Sequence, residues 1–148
     1  MKKVGLVALV LGLTGAIVPL PSPEPALAQV RVQRLWFAES ANLDDRGRPL
    51  SDCAGQYRSD PGPKARMRGA CESGDPALLG VPLMLRHING ETGAVSNIRT
   101  FTIDAIRGAV LDARTPADNV PVATTDTDVI QVIGPDGSVV MMGGWELP

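Results

Sequence analysis

The chain predicts an all-β fold, a small antiparallel sandwich or open barrel of hairpins with one long disulfide-closed loop. Three observations carry this. First, one kind of turn recurs: Asp44-Asp45-Arg46-Gly47, Gly90-Glu91-Thr92-Gly93, Ala105-Ile106-Arg107-Gly108 and Gly134-Pro135-Asp136-Gly137 each end in glycine before the chain restarts. Glycine in that last place adopts the left-handed conformation that closes a type I turn plus bulge, the common hairpin loop. Second, the segments between these turns are short, rich in Val, Ile, Thr and Leu, and partly alternating, as half-buried strands are. Third, the two cysteines, Cys53 and Cys71, bracket a stretch dense in glycine and proline. The glycine turns have no fixed spacing, which sets aside a solenoid or propeller.

Taken in order, residues 1–28 read as a signal peptide. Lys2 and Lys3 give the positive start, Val4 to Val18 the apolar run, and Ala26-Leu27-Ala28 the small-x-small cleavage site before Gln29. A permanent membrane anchor is the competing reading, but Gly5, Gly12 and Gly15 interrupt the run, and Pro19, Pro21, Pro23 and Pro25 cannot continue a helix. Residues 29–148 then form a single β-rich exported domain, periplasmic or extracellular, with no permanent membrane span after cleavage. Val30 to Ala38 reads as its first strand. Ser51 to Pro76 holds Gly55, Gly62, Gly69, Gly74, Pro61, Pro63 and Pro76, and reads as a long loop. Val81–Ile88, Val95–Ile103, Ala109–Arg114, Asp128–Ile133 and Ser138–Met142 read as strands, and Val129 to Val132 as a strand covered on both faces. Between Thr102 and Arg114 a helix competes with a hairpin, because Ile103, Ile106 and Val110 also sit at helical spacing; Gly108 speaks for the hairpin.

An even pair of cysteines in an exported chain predicts a Cys53–Cys71 disulfide rather than a metal or redox site. Cys-x-x-Cys is absent, and with one histidine two cysteines do not complete a zinc site. Closing a loop of that length contributes about 3 kcal/mol in the chain-entropy account. The aromatics are two Trp, two Phe and one Tyr, too few for a stacking platform. A formal net charge of −2 argues against general nucleic-acid binding.

Charge is unevenly spread. Arg58, Lys64, Arg66 and Arg68 lie between the cysteines, opposed there only by Asp60. Clustered guanidinium forks grip phosphate, sulfate or carboxylate, so this segment is the candidate contact for an anionic envelope polymer, a lipid head group or an acidic protein surface. The bland alternative is that these cations solvate the loop or pair with Asp52, Glu72 and Asp75. A weaker reading offers Arg66 or Arg58 to a protease as an inhibitor loop, although such loops are short or multiply stapled. His87, the sole histidine, shares a face with Val81, Leu83 and Leu85 and is expected to be structural. Asp126 and Asp128, with Asp118 and Asn119, offer oxygens to calcium but lack the full calcium-loop pattern. No nucleophile-elbow, zinc-pair or phosphate-loop motif occurs, and no cofactor or metal is implied. The expected function is a non-enzymatic binding or interaction domain working through the basic segment. The alternative is a small hydrolase-like exported enzyme using His87 and nearby carboxylates; the third is a purely structural envelope protein or the inhibitor loop.

Overall fold

The computed structural model describes residues 31–146; the expected leader and its cleavage site lie outside them. Eight strands follow in order: β1 Val32–Glu39, β2 Ser51–Asp60, β3 Lys64–Ser73, β4 Leu83–Ile88, β5 Val95–Phe101, β6 Ala109–Arg114, β7 Val129–Ile133 and β8 Val139–Glu146. A 3-10 turn at Pro76–Leu78 is the sole helical element among the described residues, capped by Asp75 accepting from the Ala77 N–H. No helix there is long and apolar enough to cross a membrane.

All the strands belong to one antiparallel sheet, ordered β5-β4-β7-β8-β1-β2-β3-β6. The sheet curls until its two edges nearly meet, giving an almost closed barrel. The last gap is bridged by side chains: Arg99 Nη1 donates to the Asp112 carbonyl at 3.2 Å, and Asn119 Nδ2 to the Asn97 carbonyl at 3.3 Å. The expected hairpin turns are present, with Gly47, Gly93, Gly108 and Gly137 at φ between +72° and +85°. The 102–114 segment is a turn and a strand, not a helix. Asp104 and Gly108 exchange two backbone hydrogen bonds, but the strands flanking this turn diverge to opposite edges of the sheet.

Alternation builds the core. In β6, Ala109, Leu111 and Ala113 are buried while Val110, Asp112 and Arg114 face out. Trp36, Tyr57, Met67, Leu83, Leu85, Leu111, Ile130, Val132 and Met141 fill the interior. β7 is less enclosed than expected: Ile130 and Val132 are buried, Val129 and Gln131 only partly.

The largest difference from expectation is inside the disulfide-closed segment. The Cys53–Cys71 bond is formed, and the chain it closes is a regular hairpin in which Cys53 sits directly opposite Cys71. Its breakers have other work. Pro61-Gly62-Pro63 forms the turn, whereas Gly55 and Gly69 face each other mid-hairpin where there is no space for a side chain. A Cβ on Gly55 would stand 1.9 Å from the Arg68 carbonyl oxygen, and one on Gly69 2.6 Å from the Trp36 ring. Trp36 fills that space and donates its indole N–H to the Arg68 carbonyl at 3.1 Å. The disulfide marks an oxidising, non-cytoplasmic setting.

Candidate functional site: a banded face on the β2–β3 hairpin

Because the cysteine-bracketed segment is β-hairpin, its four cations are held on a pleated surface. Cys53, Tyr57, Ala65, Met67 and Cys71 point into the barrel, so the even-numbered residues Arg58, Lys64, Arg66 and Arg68 all point out. Register then sets their neighbours. Arg58 lies directly opposite Arg66, and Arg66 opposite Arg114 of β6, so three arginines stand abreast on adjacent strands, with Gln33 of β1 completing the row. The next row is Leu35, Gln56, Arg68 and Asp112.

Carboxylates hold this crowd apart. Asp112 takes a bidentate grip from Arg66, Nε to Oδ1 at 2.9 Å and Nη2 to Oδ2 at 2.8 Å, and a third bond from Arg114 at 3.1 Å. The Arg66 hydrogen bonds and the Arg114 charge hold its carboxyl far below the ordinary carboxylate range. Asp60 pairs with Arg58 at 3.1 Å and with Arg31 at 3.0 Å. Lys64 and Arg68 make no ion pair with any described residue. Asp60 lies within the same sequence segment as the cations, whereas Asp112 and Arg114 are brought in only by the long-range β3–β6 pairing.

Beside these rows lies an open depression of about 640 Å³. Arg58, Arg66 and Arg68 line it with Gln33, Leu35 and Gln56, together with Tyr57 and Trp145 from the inner face. Arg34 also lines it, its guanidinium 5.6 Å from the Trp145 ring centroid and bonded to Asp126 at 2.8 Å. Glu146 also borders it, so the depression is cationic but not uniformly so. Arg58 and Arg66 are held by ion pairs and Arg68 keeps its fork unpaired among the described residues, an arrangement suited to gripping an oxyanion.

The other candidate residues are placed elsewhere. His87 is 1% exposed and its Nε2 donates to Asp128 Oδ2 at 2.6 Å; Nδ1, on the far side of the ring, is buried with no partner among the described residues. Asp128 also accepts from the Gly90 N–H at 2.8 Å, the Thr125 N–H at 2.9 Å and the Thr125 hydroxyl at 2.5 Å. Burial pushes its carboxyl up, but the Thr125 hydroxyl, the Gly90 N–H, His87 and the Thr125 N–H together outweigh that and hold it at about 2. The pair is a knot tying β4, the turn after it and the approach to β7. Tyr57 packs at the same end, its hydroxyl donating to the Pro121 carbonyl at 2.6 Å, and burial raises its pKa to about 12.

The four oxygen donors considered for calcium are dispersed among separate duties. Asp128 faces inward to His87, Asp126 faces outward to Arg34, Asp118 accepts from the Arg114 N–H, and Asn119 bridges the barrel seam. Among the described residues no three acidic, histidine or cysteine groups converge as a metal site. Comparison of the chain with known protein families, characterised proteins and solved structures finds no significant match.

Proposed function

We propose that this is an exported interaction domain that docks an anionic surface through the arginine rows of β2, β3 and β6. The observation that carries the reading is the Arg58–Arg66–Arg114 row. Like charges directly opposite on neighbouring strands are destabilising. Asp60 and Asp112 offset part of that repulsion, and three cations against two carboxylates leave the row net positive, as a surface that binds carboxylate, phosphate or sulfate needs. The unpaired Lys64 and Arg68 on the same face and the depression beside them support it. Export rests on the leader-like residues 1–28 and agrees with the disulfide. The enzyme alternative loses ground because His87 and Asp128, with side chains 1% and 0% exposed, present nothing to a substrate.

The test is salt-titrated binding to a sulfated polymer and to anionic vesicles, beside a variant carrying Ser at Arg58, Lys64, Arg66 and Arg68. The expected outcome is binding that weakens as salt rises and is lost in the variant. Equal binding by both proteins, or none by the natural protein to any anionic surface, overturns the proposal.

A further inference from the structure

The outer face of β1, β2, β3 and β6 is banded along its length. At the end nearest the disulfide, Glu39 of β1 lies opposite Asp52 of β2, and Asp52 opposite Glu72 of β3, a row of three carboxylates. None of them pairs with a cation among the described residues. Asp52 registers the crowding: burial, then Glu72, then Glu39 push its carboxyl up. The next outward row is apolar, Phe37, Ala54, Ala70 and Val110, with Gly144 beside Phe37. Val110 is 86% exposed. Then come the Leu35–Gln56–Arg68–Asp112 row and the Gln33–Arg58–Arg66–Arg114 row. The order is thus acidic, apolar, mixed and basic, within one hairpin and its neighbours.

A face ordered this way is complementary to itself reversed. Two copies facing each other about a two-fold axis that lies in the interface and runs along the rows place each copy's acidic row over the other's basic rows. The small residues Ala54, Ala70 and Gly144 meanwhile allow close approach at the middle. An axis along the strands would instead set acid on acid and base on base, so the charges select one arrangement. We propose that the β1–β2–β3–β6 face is an isologous docking surface for a second copy of this chain, with Asp52 and Glu72 of each copy over Arg58 and Arg66 of the other, Arg68 beside them, and Glu39 over Gln33 next to Arg58. The inference rests on the reading of the arginine rows as an anion-docking surface and names one such surface. A face a few strands wide is at the small end for stable association, so a weak, salt-sensitive dimer is expected.

Sedimentation velocity of the natural protein, followed up to about 1 mM at low salt, should show a concentration-dependent rise that vanishes on adding salt. Two variants divide the face, Glu39→Lys with Glu72→Lys, and Arg58→Glu with Arg68→Glu, all at exposed or half-exposed positions. Each variant alone should stay monomeric with an unchanged circular dichroism spectrum, and an equimolar mixture of the two should associate. A natural protein that stays monomeric throughout, a variant that still self-associates, or two folded variants whose mixture stays monomeric overturns the inference. The same samples titrated with sulfated polymer separate the two claims. A monomer whose polymer binding is lost in Arg58→Glu with Arg68→Glu sinks the dimer and leaves the docking reading standing. If that substitution changes neither association nor polymer binding, both fail.

Discussion

At the residue scale the molecule depends on a few side chains that the barrel could not spare. Asp128 accepts four hydrogen bonds, and its carboxylate is held at about 2. A depressed carboxyl contributes stability that is fully present above its unfolded value and lost as pH falls through the folded one. For Asp128 that window runs from the ordinary value of 3.8 down to about 2, and a shift of this size corresponds to roughly 2 kcal/mol. Asp128→Asn should therefore lower stability at neutral pH by about that amount and flatten the loss of stability between pH 4 and pH 2, as denaturant titrations across this range would show. Equal acid sensitivity in variant and natural protein would remove Asp128 from the account. Gly69 is the second such residue. Gly69→Ala drives a Cβ to 2.6 Å from the Trp36 ring and 2.4 Å from the Ala54 carbonyl, so the variant should lose at least about 1 kcal/mol and show altered tryptophan fluorescence. Gly137→Ala gives the comparison, because its Cβ would meet nothing within 4 Å and its cost is confined to a positive φ.

At the element scale the β2–β3 hairpin organises the rest. It carries the disulfide, packs the Gly55–Gly69 pair against Trp36, and presents the arginine rows. Replacing both cysteines by serine should cost about 3 kcal/mol in the chain-entropy account, read as a lower denaturation midpoint. Because Cys53 and Cys71 already face each other across paired strands, the hairpin should survive in the reduced protein, with amides near the turn exchanging only modestly faster. A reduced protein in which Ser51–Ser73 becomes fully exchangeable would contradict this. The seam between β5 and β6 is a different kind of element boundary, bonded by Arg99 and Asn119 rather than by a backbone ladder. Arg99→Ala should speed amide exchange in β5 and β6 more than in β1 or β2.

At the scale of the whole molecule, what is local in sequence was legible and what is distant was not. The four glycine turns, the β6 strand and the Cys53–Cys71 bond follow from neighbouring residues and chain chemistry. Ser51–Pro76 misleads because its glycines signal breakage, when Gly69 is there to admit Trp36 from β1 and Gly55 to let the β3 backbone close in. The β1–β8, β3–β6 and β4–β7 pairings join segments far apart in the chain, and no local pattern announces them. The β3–β6 pairing places Arg114 beside Arg66, and the β4–β7 pairing brings His87 to Asp128. Alternation in Ala109–Arg114 does mark Arg114 as outward-facing, and that was the one available signal for the third arginine.

The central claim is that the outward face of β2, β3 and β6 is the working surface. Its most direct test is a map of backbone amide chemical shifts while a short sulfated oligosaccharide is titrated into the protein. The account predicts movements concentrated at Gln56–Arg58, Lys64–Arg68 and Asp112–Arg114, diminishing as salt is added. Movements centred on His87 and Asp128 or on the β5–β6 seam, or none at saturating ligand, would contradict it.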